Sequence, residues 1–348
     1  MARRTICIVR INGQDVSSSV LPLLTSLTIT NKAGTVSDAT SLEFDDADGV
    51  ILLPEDGVPI EIQLGDDRRG VATVFRGVVD EVRSSGSRNS GRTLSISGKG
   101  VDTKGKAKQP QSRHWDNKSL GDVFRDAAQA AGIGSVRIDP SLAGLVRPYW
   151  AMQGESFLHW AERIAREVGG TFKISDDVAV LALRNGGQAP GGGALPSIRA
   201  VYGDNLLAWD IAPILGRPRY RKMRVRHYDP KTAEWKVEDV EVEDEKAQAE
   251  FTGRYSAADQ GEARRTAESR KTDSERGKGG GSITIDGDAD AEPEGTVVLV
   301  GARPGIDGTY RIDSVNHDFS RGPGWTTRID VKQPQGEAGT DNRAAGTN

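Results

Sequence analysis

The chain has 348 residues, with 46 Lys and Arg against 50 Asp and Glu, a formal charge of −4 at pH 7. That balance and a pI near 5.7 exclude a basic nucleic-acid clamp, while a hydrophobic fraction of 36% excludes a chain disordered throughout. Forty-two glycines and only 5% aromatic residues point to many turns, modest cores and a strand-rich protein of two or three domains.

Residues 1–105 read as a first β-barrel domain. Short alternations at 5–11, 26–30, 41–44, 59–64, 78–82 and 93–97 are separated by Gly, Asp and Ser clusters, and strands at this spacing favour a barrel or sandwich. From 106 the period changes to 3.6. Ser119 caps a predicted helix whose stripe is Leu120, Val123, Phe124, Ala127, Ala128 and Ala131, with Asp122 in the capping-box position and Gly132 as the stop. A second helix follows Ser156, with Phe157, Trp160, Ala161, Ile164, Ala165 and Val168 on one face, and ends at Gly169 and Gly170 before a hairpin over 171–174 and 178–183. Residues 106–197 are thus an α+β middle domain, closed by a Gly/Pro-rich connection over 185–197. Residues 198–334 return to strands as a second β-barrel, with a helical insertion near 256–271, and the polar residues 335–348 read as a disordered tail.

The two strand-rich regions repeat each other. The segment 57–65 resembles 295–301, Val79, Asp80, Glu81 and Val82 resemble Ile312, Asp313, Ser314 and Val315, and Leu94–Ile96 resembles the segment ending at Ile329. Asp80 and Asp313 are 233 residues apart, as are Ile96 and Ile329. One register over both pairs is what two copies of one unit give.

Sites for chemistry are sparse. Cys7 is the single cysteine, so it forms neither an intrachain disulfide nor a thiolate metal cage. The run 6–9 is interrupted by Arg10, well short of an export signal, and the longest apolar stretches, such as 296–300, are strand-sized rather than the ~18 residues of a membrane helix. The expectation is a soluble protein without membrane insertion. His114, His159, His227 and His317 are widely separated and suit structural hydrogen bonds. Asp286, Asp288 and Asp290 begin like a calcium loop but meet Ala291 where the turn needs Gly, and 45–49 fails similarly, so both read as turns. The glycines around Lys278 and Lys99 match no phosphate or dinucleotide loop, and no nucleophile elbow is present. Converging carboxylates are the one enzymatic option sequence leaves open. The basic run 217–226 would suit phosphates, but Glu234, Glu238, Asp239, Glu241, Glu243, Asp244 and Glu245 follow a turn at 229–232, so a charge-neutralised hairpin is predicted. The segments around Trp150 and Trp160 have the spacing of core packing rather than of a sugar platform.

Three stretches carry a family resemblance. The run from Gly305 through Gly308, Tyr310, Ile312, Val315, His317 and Phe319, followed by Gly324, Trp325, Thr327 and Ile329, resembles the closing signature of the phage late control protein D family, the baseplate hub proteins of contractile phage tails. Gln153, Glu155 and Ser156, with the helix 157–169, are similar to that family's middle motif, and 75–82 also fits; the resemblance spans about 5–333. It implies an α+β, mainly β fold of two related β-barrels, assembled as a homotrimeric ring whose six barrels approximate six-fold symmetry. It implies a structural adaptor between a six-fold tail tube, or tube initiator, and a separate three-fold central spike protein, in contact with other baseplate proteins. The expected location is the virion tail baseplate, assembled in the host cytoplasm. No enzyme activity, cofactor, metal or stable nucleic-acid binding is expected; Gln153, Glu155, Ser156, Gly308, Tyr310, His317, Gly324 and Thr327 are expected to be structural. A cell-wall hydrolase or a glycan-binding tail component is the alternative class. The acidic segment 234–245 has no counterpart in the resemblance.

Overall fold

The computed structural model describes residues 4–34, 37–88, 91–101, 105–175, 178–184, 187, 193–214, 220–229, 231–242, 247–254, 256–257, 259–341 and 343. It is mainly β. In the first region, Thr5–Ile11 pairs antiparallel with Pro59–Asp66, which pairs in turn with Gly70–Ser87, then Gly91–Lys99, Ala39–Asp45 and Leu24–Lys32. Alternation sends Val9, Leu42, Phe44, Ile62, Leu64 and Leu94 inward to a core in which each is at most 1% exposed.

The second region repeats this path in the same chain order. Ser197–Val201 pairs with Thr296–Val300, followed by Gly308–Ser320, Gly324–Gln335, Gly280–Asp286 and Leu206–Ala212. The pairing Val82↔Ile96 recurs as Val315↔Ile329, and Val79↔Gly98 as Ile312↔Val331, so the offset of 233 read from the sequence is also the register of the strands. Each long strand carries a bulge at the repeated aspartate, between Val79 and Glu81 and between Ile312 and Ser314. Even the turn before it recurs. Gly57 and Glu294 both have left-handed φ, +80° and +69°; the Gly57 N–H donates to the Val79 carbonyl (2.7 Å) and the Glu294 N–H to the Ile312 carbonyl (2.9 Å). One difference is that Ser197–Val201 pairs parallel, whereas its counterpart Thr5–Ile11 pairs antiparallel.

The expectation of two closed barrels is corrected by the pairing. Among the described residues neither unit closes; instead both belong to one 13-stranded sheet. A strand has two edges, and the second edge of Leu24–Lys32 is taken by Gly308–Ser320 of the other unit, not by a strand of its own. The 13-residue strand Gly308–Ser320 is long enough to serve three neighbours, with its first residues on Thr296–Val300, its last on Leu24–Lys32, and Gly324–Gln335 along the opposite edge.

Between the units, Leu120–Ala130 and Phe157–Glu167 form as predicted. The Ser119 hydroxyl accepts from the Asp122 N–H (3.2 Å) and the Ser156 hydroxyl from the His159 N–H (3.3 Å), satisfying donors the first helical turn leaves open. Phe124, Phe157, Trp160 and Phe172 meet at centroid distances of 5.5–6.1 Å in the core of this α+β unit. The antiparallel pair Gln111–Ser119 and Val146–Glu155 was not predicted; Trp115 is the one apolar residue of the first, so no apolar alternation marks it.

The insertion consists of Tyr220–Asp229, Glu234–Glu241 and Ala249–Thr252 with the helix Gln260–Arg276, five residues longer at its C-terminal end than expected. The hairpin is charge-neutralised as predicted: Arg224 meets Asp239 (3.1 Å) and Glu250 (2.8 Å), and Lys236 meets Asp229 (2.6 Å). Residues 217–219 and 243–245 of the two charged runs, and most of the 185–197 connection, lie outside the described residues. Of the expected tail, 335–341 are described and packed: Ala338 lies against the second unit's core, and the Gly339 N–H donates to the Gly305 carbonyl (3.0 Å); 342 and 344–348 lie outside. Among the described residues no helix is long and apolar enough to cross a membrane.

Candidate functional site

The central feature is the junction where the two units become one sheet. Antiparallel pairing runs from Ser314↔Lys32 to Phe319↔Leu27. On the outer face, the Thr28 hydroxyl donates to Asp318 (3.0 Å) and the Thr30 hydroxyl to Asn316 Oδ1 (2.8 Å). On the inner face, Trp325 of the second unit packs into the first unit's core, as does Ala289. Gly287 makes that possible, since a Cβ there would lie 2.0 Å from the indole. Asp288 completes the contact through Arg69 (3.2 Å); the two Asp-rich loops read as turns therefore serve as a junction piece at 286–290 and a strand-end turn at 45–49.

A third unit locks onto the same place. Lys173, on the α+β hairpin, forms an ion pair with Asp38 (2.8 Å) and donates to Asn31 Oδ1 (2.9 Å). Burial pushes the Asp38 carboxyl up, and pushes up Glu292 of the second unit as well, with Lys173 opposing both shifts. Arg276, at the buried end of the inserted helix, meets Glu294 (2.8 Å) and the repeated Asp313 (3.3 Å). Both bulge aspartates hold a lysine at the same offset, Asp80 with Lys99 (2.6 Å) and Asp313 with Lys332 (2.9 Å). Sequence reasoning singled out the two aspartates but missed their lysines, which the offset of 233 would have revealed.

The singled-out residues fall into two groups. Gln153, Glu155 and Ser156 lie in the α+β unit: Gln153 is exposed beside a bulge, Glu155 clamps Arg163 through Nε (2.9 Å) and Nη2 (2.7 Å), and Ser156 is the helix cap. The Arg163 guanidinium holds the Glu155 carboxyl below its usual range. The rest lie on the hairpin of Gly308–Ser320 and Gly324–Gln335. Gly308, at φ +143°, approaches Ala338 closely, and Gly324, at φ +81°, makes the turn. Tyr310 is buried, its hydroxyl donating to the Ile306 carbonyl (2.5 Å), and burial pushes it up to about 12. His317 is paired opposite Thr327, with Nδ1 3.1 Å from Oγ1, and the Trp325 indole N–H donates to the same nitrogen (3.4 Å). Burial pushes His317 down to about 4, so its ring is neutral at pH 7 and acts as an acceptor within the junction. Trp150 and Trp160 are core residues, their N–H groups donating to the Lys118 and Ala151 carbonyls. Among the described residues no three His, Cys, Asp or Glu side chains gather as metal ligands.

These features define a mainly β protein in which two copies of one unit share a single sheet. The 43 kDa tail protein of prophage MuSo2 from Shewanella oneidensis superposes with a TM-score of 0.71 at 18% identity, covering 94% of this chain and 98% of that one. A tail protein from Neisseria meningitidis MC58 gives 0.70 at 16%, covering 97% and 98%. A component of the E. coli type VI secretion system gives 0.59 at 12%, covering 96% and 79%. The chain belongs to the phage tail baseplate hub (GPD) family, which it matches over residues 36–323. It is 24% identical over 196 residues to the "Probable baseplate hub protein" of Escherichia phage P2 (56% of this chain, 49% of that protein), and 26% identical over 166 residues to that of phage 186 (47% and 41%). The matches thus span about half or less of these relatives' length.

Proposed function

We propose that this chain is the structural hub of a contractile phage tail, three copies forming a ring that adapts a six-fold tail tube to a three-fold central spike. The observation that carries the reading is the internal duplication: two units share strand order, register, bulge and Asp–Lys pair. Three copies then supply six similar units around one axis, with two alternating kinds of junction. In this reading 1–105 and 198–334 are the ring-forming domains and 106–197 the domain that braces them. The partners are the spike, the tube or tube initiator, and other baseplate proteins, in a virion assembled in the host cytoplasm. The chain works by binding rather than by catalysis, and the eight motif residues, Gln153 through Thr327, hold its shape. Light scattering of the full chain, alone and with the spike protein, tests it. The expected hub mass is three times 37.3 kDa, about 112 kDa; a stable dimer or hexamer in both conditions overturns it.

A further inference from the structure

The duplication maps the junction inside the chain onto strand edges that have no partner among the described residues. The last part of Gly308–Ser320 is covered by Leu24–Lys32. The repeat counterparts of these two segments are residues 81–86 and Leu206–Ala212, and among the described residues each pairs along one edge only, with Gly91–Lys99 and Gly280–Asp286 respectively. Position 209 shows what is missing. Both it and Leu27 sit across from strands that pair with the equivalent residues Ile283 and Leu42, yet Leu27 is 0% exposed beneath the junction and Trp209 is 38% exposed.

We infer that Leu206–Ala212 of one copy pairs antiparallel with residues 81–86 of the next copy, in the register of the internal junction; this rests on the ring reading above. The chemistry matches position by position. Carrying over Phe319↔Leu27 places Trp209 opposite Gly86, a large ring against a residue without a side chain. Carrying over Asp318↔Thr28 places Asp210 opposite Ser85, so the hydroxyl–carboxylate bond of the internal junction recurs with its partners exchanged. Arg83 lies diagonal to Asp210, within reach of its carboxylate. The loops follow suit. The loop after Gly280–Asp286 covers the first unit through Ala289; its counterpart, after Ala39–Asp45, carries Val50, Leu52 and Leu53, 64%, 91% and 64% exposed. The receiving face offers Tyr202, Leu207 and Ile214, 62%, 51% and 60% exposed. Exposed strand edges flanked by apolar side chains are what a protein that pairs with its own copies presents.

The test is a cross-link in the full chain. Directly opposed residues of antiparallel strands have Cα atoms ~4.5–5.5 Å apart, within disulfide range, whereas diagonal ones lie beyond it. Ser85→Cys with Asp210→Cys is expected to give a covalent three-chain band of about 112 kDa on a non-reducing gel. Each single variant, and Ser85→Cys with Ala208→Cys, should give none; the native Cys7 is buried. Trp209→Glu, with unchanged circular dichroism, should raise the protein concentration needed for assembly at least tenfold. A mass of three chains without the cross-link overturns this pairing and leaves the ring standing. A cross-linked ladder beyond three chains supports the pairing and overturns the closed ring, while monomers at every concentration, with the spike protein present as well as without it, overturn both.

Discussion

At the scale of single residues, His317 makes the junction sensitive to acid. The unfolded ring takes a proton below its ordinary value of 6.5, and the folded ring only near 4. Stability is therefore flat above 6.5 and falls as pH drops through that window, by up to on the order of 3 kcal/mol. His317→Gln is expected to be less stable at pH 7.5, by about 1–2 kcal/mol from lost hydrogen bonds, but to lose less on acidification. Urea unfolding at pH 7.5, 6 and 5 checks this; a gap between the two proteins that stays constant with pH refutes it. Gly287 tests the inner face of the same junction. Gly287→Ala must displace the Trp325 ring, at a cost of about 1–3 kcal/mol by the scale of overpacked cores. An unchanged melting temperature would show that the ring is not held there.

At the scale of elements, the two bulged strands are equivalent in shape and unequal in surroundings. Asp80 pairs with the half-exposed Lys99, whereas Asp313 holds Lys332 and the buried Arg276. Asp80→Ala should cost about 0.5 kcal/mol, as surface pairs do. Asp313→Ala should cost about 2–3 kcal/mol, because the buried Arg276, beside Glu294, loses a carboxylate partner; equal losses in denaturant titrations would refute the distinction. Ser156→Ala, which removes a helix cap, should cost about 1 kcal/mol. These elements differ in how far sequence discloses them. Both helices were legible because cap, apolar stripe and terminating glycine agree within a dozen residues. The repeat was legible because Asp80 and Asp313 stand at one offset with apolar neighbours in phase. The open edges were not, since nothing local in Leu24–Lys32 says which distant strand will take its second side. Nor was the cluster of Lys173, Asp38 and Glu292, three ordinary charged residues that only folding brings together.

At the scale of the whole molecule, net charge bears on nucleic-acid binding. The net charge is −4 and the Arg224 strand is neutralised by Asp239 and Glu250, so the counterion release that drives duplex binding is disfavoured. No binding to duplex DNA is expected in a gel-shift assay at physiological salt, and micromolar binding there would contradict this. The sheet that joins the two units also has a history in time. Thr28 and Asp318, hydrogen-bonded across the junction, are 290 positions apart; at ~5–20 residues per second of bacterial synthesis, about 15–60 s separate their emergence from the ribosome. Throughout that interval the strand Leu24–Lys32 has one edge uncovered and available to any passing strand. A nascent chain released before residue 308 keeps that edge for good, so interrupted translation of this protein yields a sticky first half rather than a harmless fragment.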